Sequence, residues 1–399
     1  MGRLTTTAGV LLLALTGSGG AAAQDASPAP AVPSGVPTSP AASGVRDATP
    51  SPLRKASVPV TGPGMSVFDL IEGGPGYIAV GGGTPTGLDH HALIWVSDDG
   101  ATWQSVPLFG EAASGTIRGV AALPDGGYVA AGHDFEPPTE RPEMVHLLTW
   151  ISDDGISWSR GPADASFPGS MALGATSTPD GVALVGCSAG FHCDVGRVWT
   201  TTDGRTWTME DGIAMAPYSI AASDTGELVI GGEDDAYDLV DGQAAVASSA
   251  DDWTIRVLGT GDSQVSGLTR LGDGFAATGY LAEPAGEVLG SMVASSADGI
   301  DWTVTEPKQL KRGTVTAGID AAGDLVVVSG SRYDAGKDRT IPIVLWSRAS
   351  EEFQRIALPK RLDRKTFGTT GVRLSDDGSM AFVLGTEENR PAIWYSVIE

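Results

Sequence analysis

This sequence predicts an all-β fold, a seven-bladed β-propeller, and two phrases repeated in step along the chain carry the prediction. The first, Ser/Thr-x-Asp-x-Gly-x-Thr/Ser-Trp, returns about every 50 residues between Ser97 and Trp302, a period that marks a repeated supersecondary unit. The second is an apolar run opened by glycine, which returns seven times from Gly76 to Gly378. Units of this kind bury their apolar faces against their neighbours.

The first 55 residues are a different polymer. Arg3, an apolar stretch over 10–15 and Ala21-Ala22-Ala23 before Gln24 have the layout of an export signal peptide, assigned to residues 1–23. That segment is too short and too rich in small residues to span a bilayer, and no cysteine follows it to carry a lipid. Residues 24–55 are Ala, Pro, Ser and Thr with few large apolar side chains, a composition that buries too little surface to fold. They read as a disordered tether. Residues 56–399 form the propeller, which can be one domain at this size because its core is distributed between blades.

Four strands are expected in each unit. An inner strand, such as 117–123 or 265–271, ends in a Pro-Asp-Gly or Gly-Asp-Gly hairpin turn. The glycine-opened phrase follows: Gly76-Tyr77-Ile78-Ala79-Val80-Gly81 in the first unit, Gly127-Tyr128-Val129-Ala130-Ala131-Gly132 in the second. Strands this apolar belong in sheets covered on both faces, as radially stacked blades are. A third strand of the Ile/Val-Trp-Val-Ser type runs into the tryptophan-tipped turn, and the fourth starts at that tryptophan. The turns carry Ser97, Asp99, Gly100 and Trp103, then Ser152, Asp154, Gly155 and Trp158, then Thr201, Asp203, Gly204 and Trp207. Degraded copies keep Trp253 in the fourth unit and Asp298, Gly299 and Trp302 in the fifth; the sixth, from Ser347 to Phe353, keeps only the serine and an aromatic. In such a turn Asp and Ser/Thr side chains bond backbone amides, Gly takes the positive φ, and the indole fills an apolar gap beside the next strand. The seventh unit stops at its third strand, 393–397. Residues 56–60 are expected to supply its outer strand and close the ring, leaving no exposed edge, and Pro59 suits an outermost position because it donates nothing to a ladder.

The turns resemble the Asp-box, or bacterial neuraminidase repeat, of sialidases, sortilin-type receptors, photosystem assembly factors and several glycosidases. The resemblance runs from about Ser57 to the end of the chain and is specific for the repeat, not for an activity. It implies that the boxes lie on the face away from the ligand, so the box residues are structural.

Function then belongs to the opposite face, where the loops after the second strands bring His133, Asp134, Glu136, Glu233, Asp234, Tyr280, Arg332 and Tyr333. Arg118 and Tyr218, near the starts of inner strands, point toward the same mouth. Carboxylates, aromatics and bases converging there make a polar, ligand-sized binding site, against the alternative that they are solvated loop residues. A sialidase needs three arginines around a tyrosine-glutamate pair, because planar guanidiniums bind carboxylates bidentately. The family's first arginine sits in a Phe/Tyr-Arg-Ile-Pro motif, yet no Arg or Lys occurs between Lys55 and Arg118, and the nearest look-alike, Phe353-Gln354-Arg355-Ile356, falls in an outer strand. A glycosidase using two carboxylates is a further alternative. No nucleophile elbow, cofactor motif or metal-ligand pattern is present, and no catalytic residue is assigned. The net charge of −24 disfavours nucleic acid and anionic membranes. Cys187 and Cys193, six residues apart in an exported chain, are expected to form a disulfide rather than a metal site. The reading is a secreted, monomeric binding module for a glycan, peptide or extracellular protein, with sialidase-like or other glycoside hydrolysis as the alternative.

Overall fold

The computed structural model describes residues 48–399 except 60, 85–89, 135–144, 163–166, 168, 189–192, 194, 235–241, 283–287, 335–338, 349–351 and 360–366. The segments expected to be an export signal and, up to residue 47, a tether, together with Glu136, lie outside the described residues. The chain forms seven four-stranded antiparallel sheets, the blades of a propeller. In the first, Met65–Gly73 is innermost, followed outward by Gly76–Gly83, His91–Ser97 and Gln104–Val106. Innermost strands of the others are Thr116–Ala122, Ser170–Thr178, Ala216–Ala222, Ser263–Leu271, Thr314–Ala322 and Phe367–Leu374. Each of these packs on the innermost strands of the neighbouring blades, which places them around the axis.

The core lies in the seams, and there are seven apolar clusters, one between each pair of neighbouring blades. The glycine-opened strands are covered on both faces by this stacking, which is why they alternate so little in polarity. Trp95, Trp150, Trp199 and Trp394, on third strands, are fully buried in four of the seams.

Every innermost strand carries a β-bulge at the same place. The unpaired residue is Phe68, Arg118, Leu173, Tyr218, Ser266, Ala317 or Thr370 in blades one to seven. A bulge sets two residues against one and sharpens the local twist, letting seven strands converge on a narrow axis. Two glycine positions make it possible. The residue after the bulge is Gly119, Gly174, Gly267, Gly318 or Gly371 in five blades; a Cβ on Gly267 would come within 2.9 Å of Gly318 Cα, and one on Gly318 within 3.0 Å of Gly371 Cα. Opposite the bulge, on the second strand, stands a glycine whose Cβ would strike an inner-strand carbonyl: Gly132 would meet Thr116 O at 1.8 Å, and Gly186, Gly232 and Gly385 meet theirs at 1.8, 1.8 and 1.9 Å.

Ring closure is made by an N-terminal strand, but not by residues 56–60. Arg54–Lys55 pairs antiparallel with Arg390–Val397, with Arg54 opposite Tyr395 and Lys55 opposite Trp394. The pairing starts earlier, where Pro50 bridges Ile398. Leu53 is buried in the last seam, so the propeller takes in residues assigned to the tether. Ser57 has already left the last sheet and bonds to the first blade, donating to Ala101 O at 2.7 Å and accepting from Trp103 N at 2.9 Å. Val58 therefore lies beyond the outer strand, packed against the first seam. The apolar residues favoured as the closing strand act as seam filler, and the charged pair Arg54 and Lys55 makes the exposed edge, as edge strands tolerate.

The tryptophan-tipped turns have the expected chemistry. Asp99 Oδ1 accepts from the amides of Ala101 and Thr102 at 2.8 and 2.7 Å, Ser97 Oγ accepts from Gly100 N at 2.9 Å, and Trp103 Nε1 donates to Gly100 O at 3.1 Å. The carboxylate and hydroxyl bonds recur around Asp154, Asp203 and Asp298, and the indole bond recurs at Trp158 and Trp302 but not at Trp207, whose Nε1 is buried without a partner. Gly100, Gly155, Gly204 and Gly299 have φ of 68, 74, 70 and 74°. Each turn also docks on the preceding blade: Gly100 faces Phe382, Gly155 faces Ile78, Gly204 faces Val129, and Gly299 faces Val229. The fourth turn lacks the glycine. Its chain instead makes a short 3-10 turn, Ser249–Asp251, with Asp252 and Trp253 in the left-handed region.

Amide donation from Ser157 and Ile156 holds the Asp154 carboxyl down to about 2, and the same kind of donation lowers Asp99, Asp203 and Asp298. A carboxyl depressed in the folded state stabilises above its unfolded pKa and loses that contribution as pH falls through the folded one. The melting temperature is therefore expected to drop steeply between about pH 4 and about pH 2, read by circular dichroism, and less steeply in a variant carrying Asp99→Asn, Asp154→Asn and Asp203→Asn.

Cys187 and Cys193 form a disulfide, with their Cα atoms 5.2 Å apart, that clips the loop after the second strand of the third blade. Closing so short a loop restricts the unfolded chain only modestly, so reduction is expected to cost about 2 kcal/mol of stability, measured by urea unfolding with and without reductant.

Candidate functional site at the channel mouth

The two ends of the ring differ. Hairpin turns such as that joining Gly73 to Gly76 lie beside the tryptophan-tipped turns, because Tyr77 pairs with Ser97 at that end of the sheet. At the other end Met65, Gly83 and His91 come together, and the bulges lie toward this end. The bulge residues line a space of about 110 Å³ on the axis.

The floor of that space is an ion pair. Arg373 donates from Nε and Nη2 to Asp69 Oδ1 at 2.8 and 2.7 Å, and the same carboxylate accepts from Leu70 N and, across the seam, from Val120 N at 3.1 Å. Asp320 performs the matching task two blades away, accepting from Thr269 Oγ1 at 2.7 Å and Leu374 N at 2.8 Å. These carboxylates face amides that the bulged strands cannot pair within their own sheets.

Two groups of predicted site residues reach the mouth. On blades four and five, Tyr218 donates to Glu233 Oε1 at 2.6 Å, and Tyr280 donates to Gln264 Oε1 at 3.0 Å. Burial, and then the Glu233 hydrogen bond, raises the Tyr218 phenol well above its ordinary value; burial and Glu233 raise Tyr280. Both phenols stay protonated and act as donors. On blades one and two, Arg118 lies over the Phe68 ring at 4.1 Å. His133 is buried behind it, and burial followed by the Arg118 charge pushes its imidazole down to about 4. The ring is neutral at physiological pH. Its Nδ1 lies 3.2 Å from Ala172 O, so that nitrogen carries the proton and ties the second blade to the third.

Other predicted residues are placed elsewhere. Asp234 closes its own loop, accepting from Gln243 N at 2.7 Å. Asp134 ends the second strand of blade two opposite His146. Arg332 and Tyr333 lie on the second strand of blade six, do not line the axial space, and Tyr333 is exposed. Sequence reasoning missed Phe68, Gln264 and the Asp69–Arg373 pair. A signal existed: five of the seven bulge residues are followed by glycine, a second register running beside the turn repeat.

No protein-family model matches the chain, and none of the curated proteins is similar to it. Solved structures do share its fold. A catalytically inactive virginiamycin B lyase from Staphylococcus aureus with quinupristin aligns with a TM-score of 0.55 at 12% identity, over 87% of this chain and 99% of that one. U3-55K aligns at 0.51 and 13% identity, over 88% of this chain and 100% of that one. At such identities the likeness shows the propeller fold alone.

Proposed function

We propose that the protein is an exported, non-catalytic binding module of the Asp-box repeat type, which captures a glycan, peptide or extracellular protein at the channel mouth opposite the tryptophan-tipped turns. The observation that carries this reading is the division of labour between the two faces. On the turn face, the carboxylates and hydroxyls of the regular turns are spent on the turns' own backbone amides. On the other, the Arg118 guanidinium and the protonated phenol of Tyr218, which bonds to Glu233, line an axial space. The leader-like N-terminus and the disulfide support export.

A second reading, a sialidase-like or other glycoside hydrolase, is favoured by the Tyr218–Glu233 hydrogen bond, the pairing that a tyrosine nucleophile needs. Against it, a phenol held protonated by burial is a poor nucleophile. Among the described residues the axial space is lined by two arginines, and Arg373 is held by Asp69. Probing glycan and peptide arrays with the propeller, alongside turnover of a fluorogenic sialoside and of xyloglucan, separates the two. Array capture weakened by Tyr218→Phe, with no turnover, is the expected result. Sialoside turnover abolished by Tyr218→Phe would install the hydrolase instead.

A further inference from the structure

We infer that the axial space above the Asp69–Arg373 pair is a carboxylate site, in which Arg118 receives the singly charged, planar head of a ligand that enters on a narrow chain. This deepens the reading of the mouth as the binding face and rests on it. Arg118 occupies the bulge of the second blade and points into the axial space. Its Nε is buried without an acceptor, and no described residue accepts a hydrogen bond from its guanidinium. Burial lowers its pKa, with no carboxylate opposing the effect. A guanidinium does not deprotonate in a protein, so the charge remains, half-buried, with the Phe68 ring against it and no carboxylate partner. Buried charges are ordinarily paired and hydrogen-bonded, because leaving one alone is costly.

The other polar side chains of the ring are already engaged. Ser266 donates to Thr316 O at 2.8 Å in the next blade, Thr370 donates to Val67 O across the closing seam, and Tyr218 donates to Glu233. The second arginine of the channel is held by Asp69. Arg118 is thus the donor left over where the structure has satisfied the rest.

Shape and charge select the partner. Phe68 lies against the guanidinium, 4.1 Å from Cζ to its ring centroid, and a guanidinium whose N–H groups lack acceptors can bond a carboxylate through both oxygens. The surrounding protein is strongly acidic, and Glu233 stands at the same mouth, which favours an anion of one charge over a dianionic phosphate. A space of about 110 Å³ is smaller than the roughly 150 Å³ cavity that accepts benzene, so a carboxylate on an unbranched chain reaches Arg118 and one carried on a sugar ring does not.

Calorimetric titration at low salt tests this with four probes: N-acetyl-tetraglycine as the free acid, the same peptide as its C-terminal amide, butyrate and glucuronate. The free acid is expected to bind about tenfold or more tighter than the amide, with butyrate competing and glucuronate not. Arg118→Met should weaken the acid about tenfold or more while leaving the melting temperature unchanged or raised, since it removes a half-buried charge that has no carboxylate partner. Equal binding of acid and amide, no binding of either, or acid binding that survives Arg118→Met would overturn the inference; glucuronate competing as well as butyrate would overturn its narrow-chain selectivity. If the variant fails to fold, the acid-against-amide comparison on the native protein decides. An array ligand lost with Tyr218→Phe but indifferent to Arg118→Met and to butyrate would overturn the carboxylate site and leave the binding function standing.

Discussion

Trp103→Ala is expected to lower stability by about 3–5 kcal/mol, the range for removing a large buried aromatic whose site cannot collapse. The indole is 3% exposed and packs with Leu70, Ala79, Trp95, Phe382 and Ile393, residues drawn from the first and last blades. It meets the Phe382 ring edge-on at 6.5 Å between centroids. Its backbone amide bonds to Ser57, the residue that carries the chain from the closing strand into the first blade. Alanine here would open a cavity in the seam where the two ends of the ring meet, and blades on either side are fixed by their other seams. Trp158→Ala, at a half-buried indole of the same turn type, should cost less. Urea unfolding followed by tryptophan fluorescence gives both values, and a cost for Trp103→Ala below that of Trp158→Ala would contradict the burial argument.

Gly132→Ala is expected to cost about 3 kcal/mol, the upper part of the usual range for overpacking, because the added carbon meets backbone and not a side chain that can swing aside. The carbonyl it strikes, Thr116 O, lies two residues before Arg118 on the bulged strand. Relief of the clash must move the bulge, so the variant should also weaken ligand capture at the mouth. Gly272→Ala is the control. Its φ of 59° carries the ordinary left-handed penalty of about 1–2 kcal/mol but its Cβ meets nothing, so binding should be untouched. Equal effects of the two substitutions on binding would mean that the bulge does not position the site.

The ring was legible because its physics is written locally. A carboxylate that caps two amides, a glycine with positive φ and a buried indole each demand one residue type at one spacing, so the turns set the period, and the glycine-opened strands running in step with them gave the count of seven blades. Closure was legible in kind but not in place: 56–60 is the more strand-like segment, and only the register of Ile398 against Pro50 reveals that the ladder starts earlier. The site was half legible. Arg118 and Tyr218 stood out as polar residues near inner-strand starts, whereas Arg332 and Tyr333 looked equivalent and were separated from the axis only by the fold. Asp69 and Phe68 gave no sign of their tasks, since a carboxylate that answers an amide one blade away and an aromatic that covers a guanidinium from the next sheet depend on contacts about 50 residues apart in sequence. The glycines flanking the bulges were visible as repeats, but their meaning needed the partner strand.

The most direct test of the division between the two faces is array capture by three proteins measured side by side: the native chain, the double variant Arg118→Met with Tyr218→Phe, and Asp99→Asn. The account predicts that capture is lost in the double variant with little change in melting temperature, and retained by Asp99→Asn with a lowered one. Capture that survives the double variant and disappears with Asp99→Asn, in a protein still folded, would place the binding surface on the tryptophan-tipped turns and contradict it.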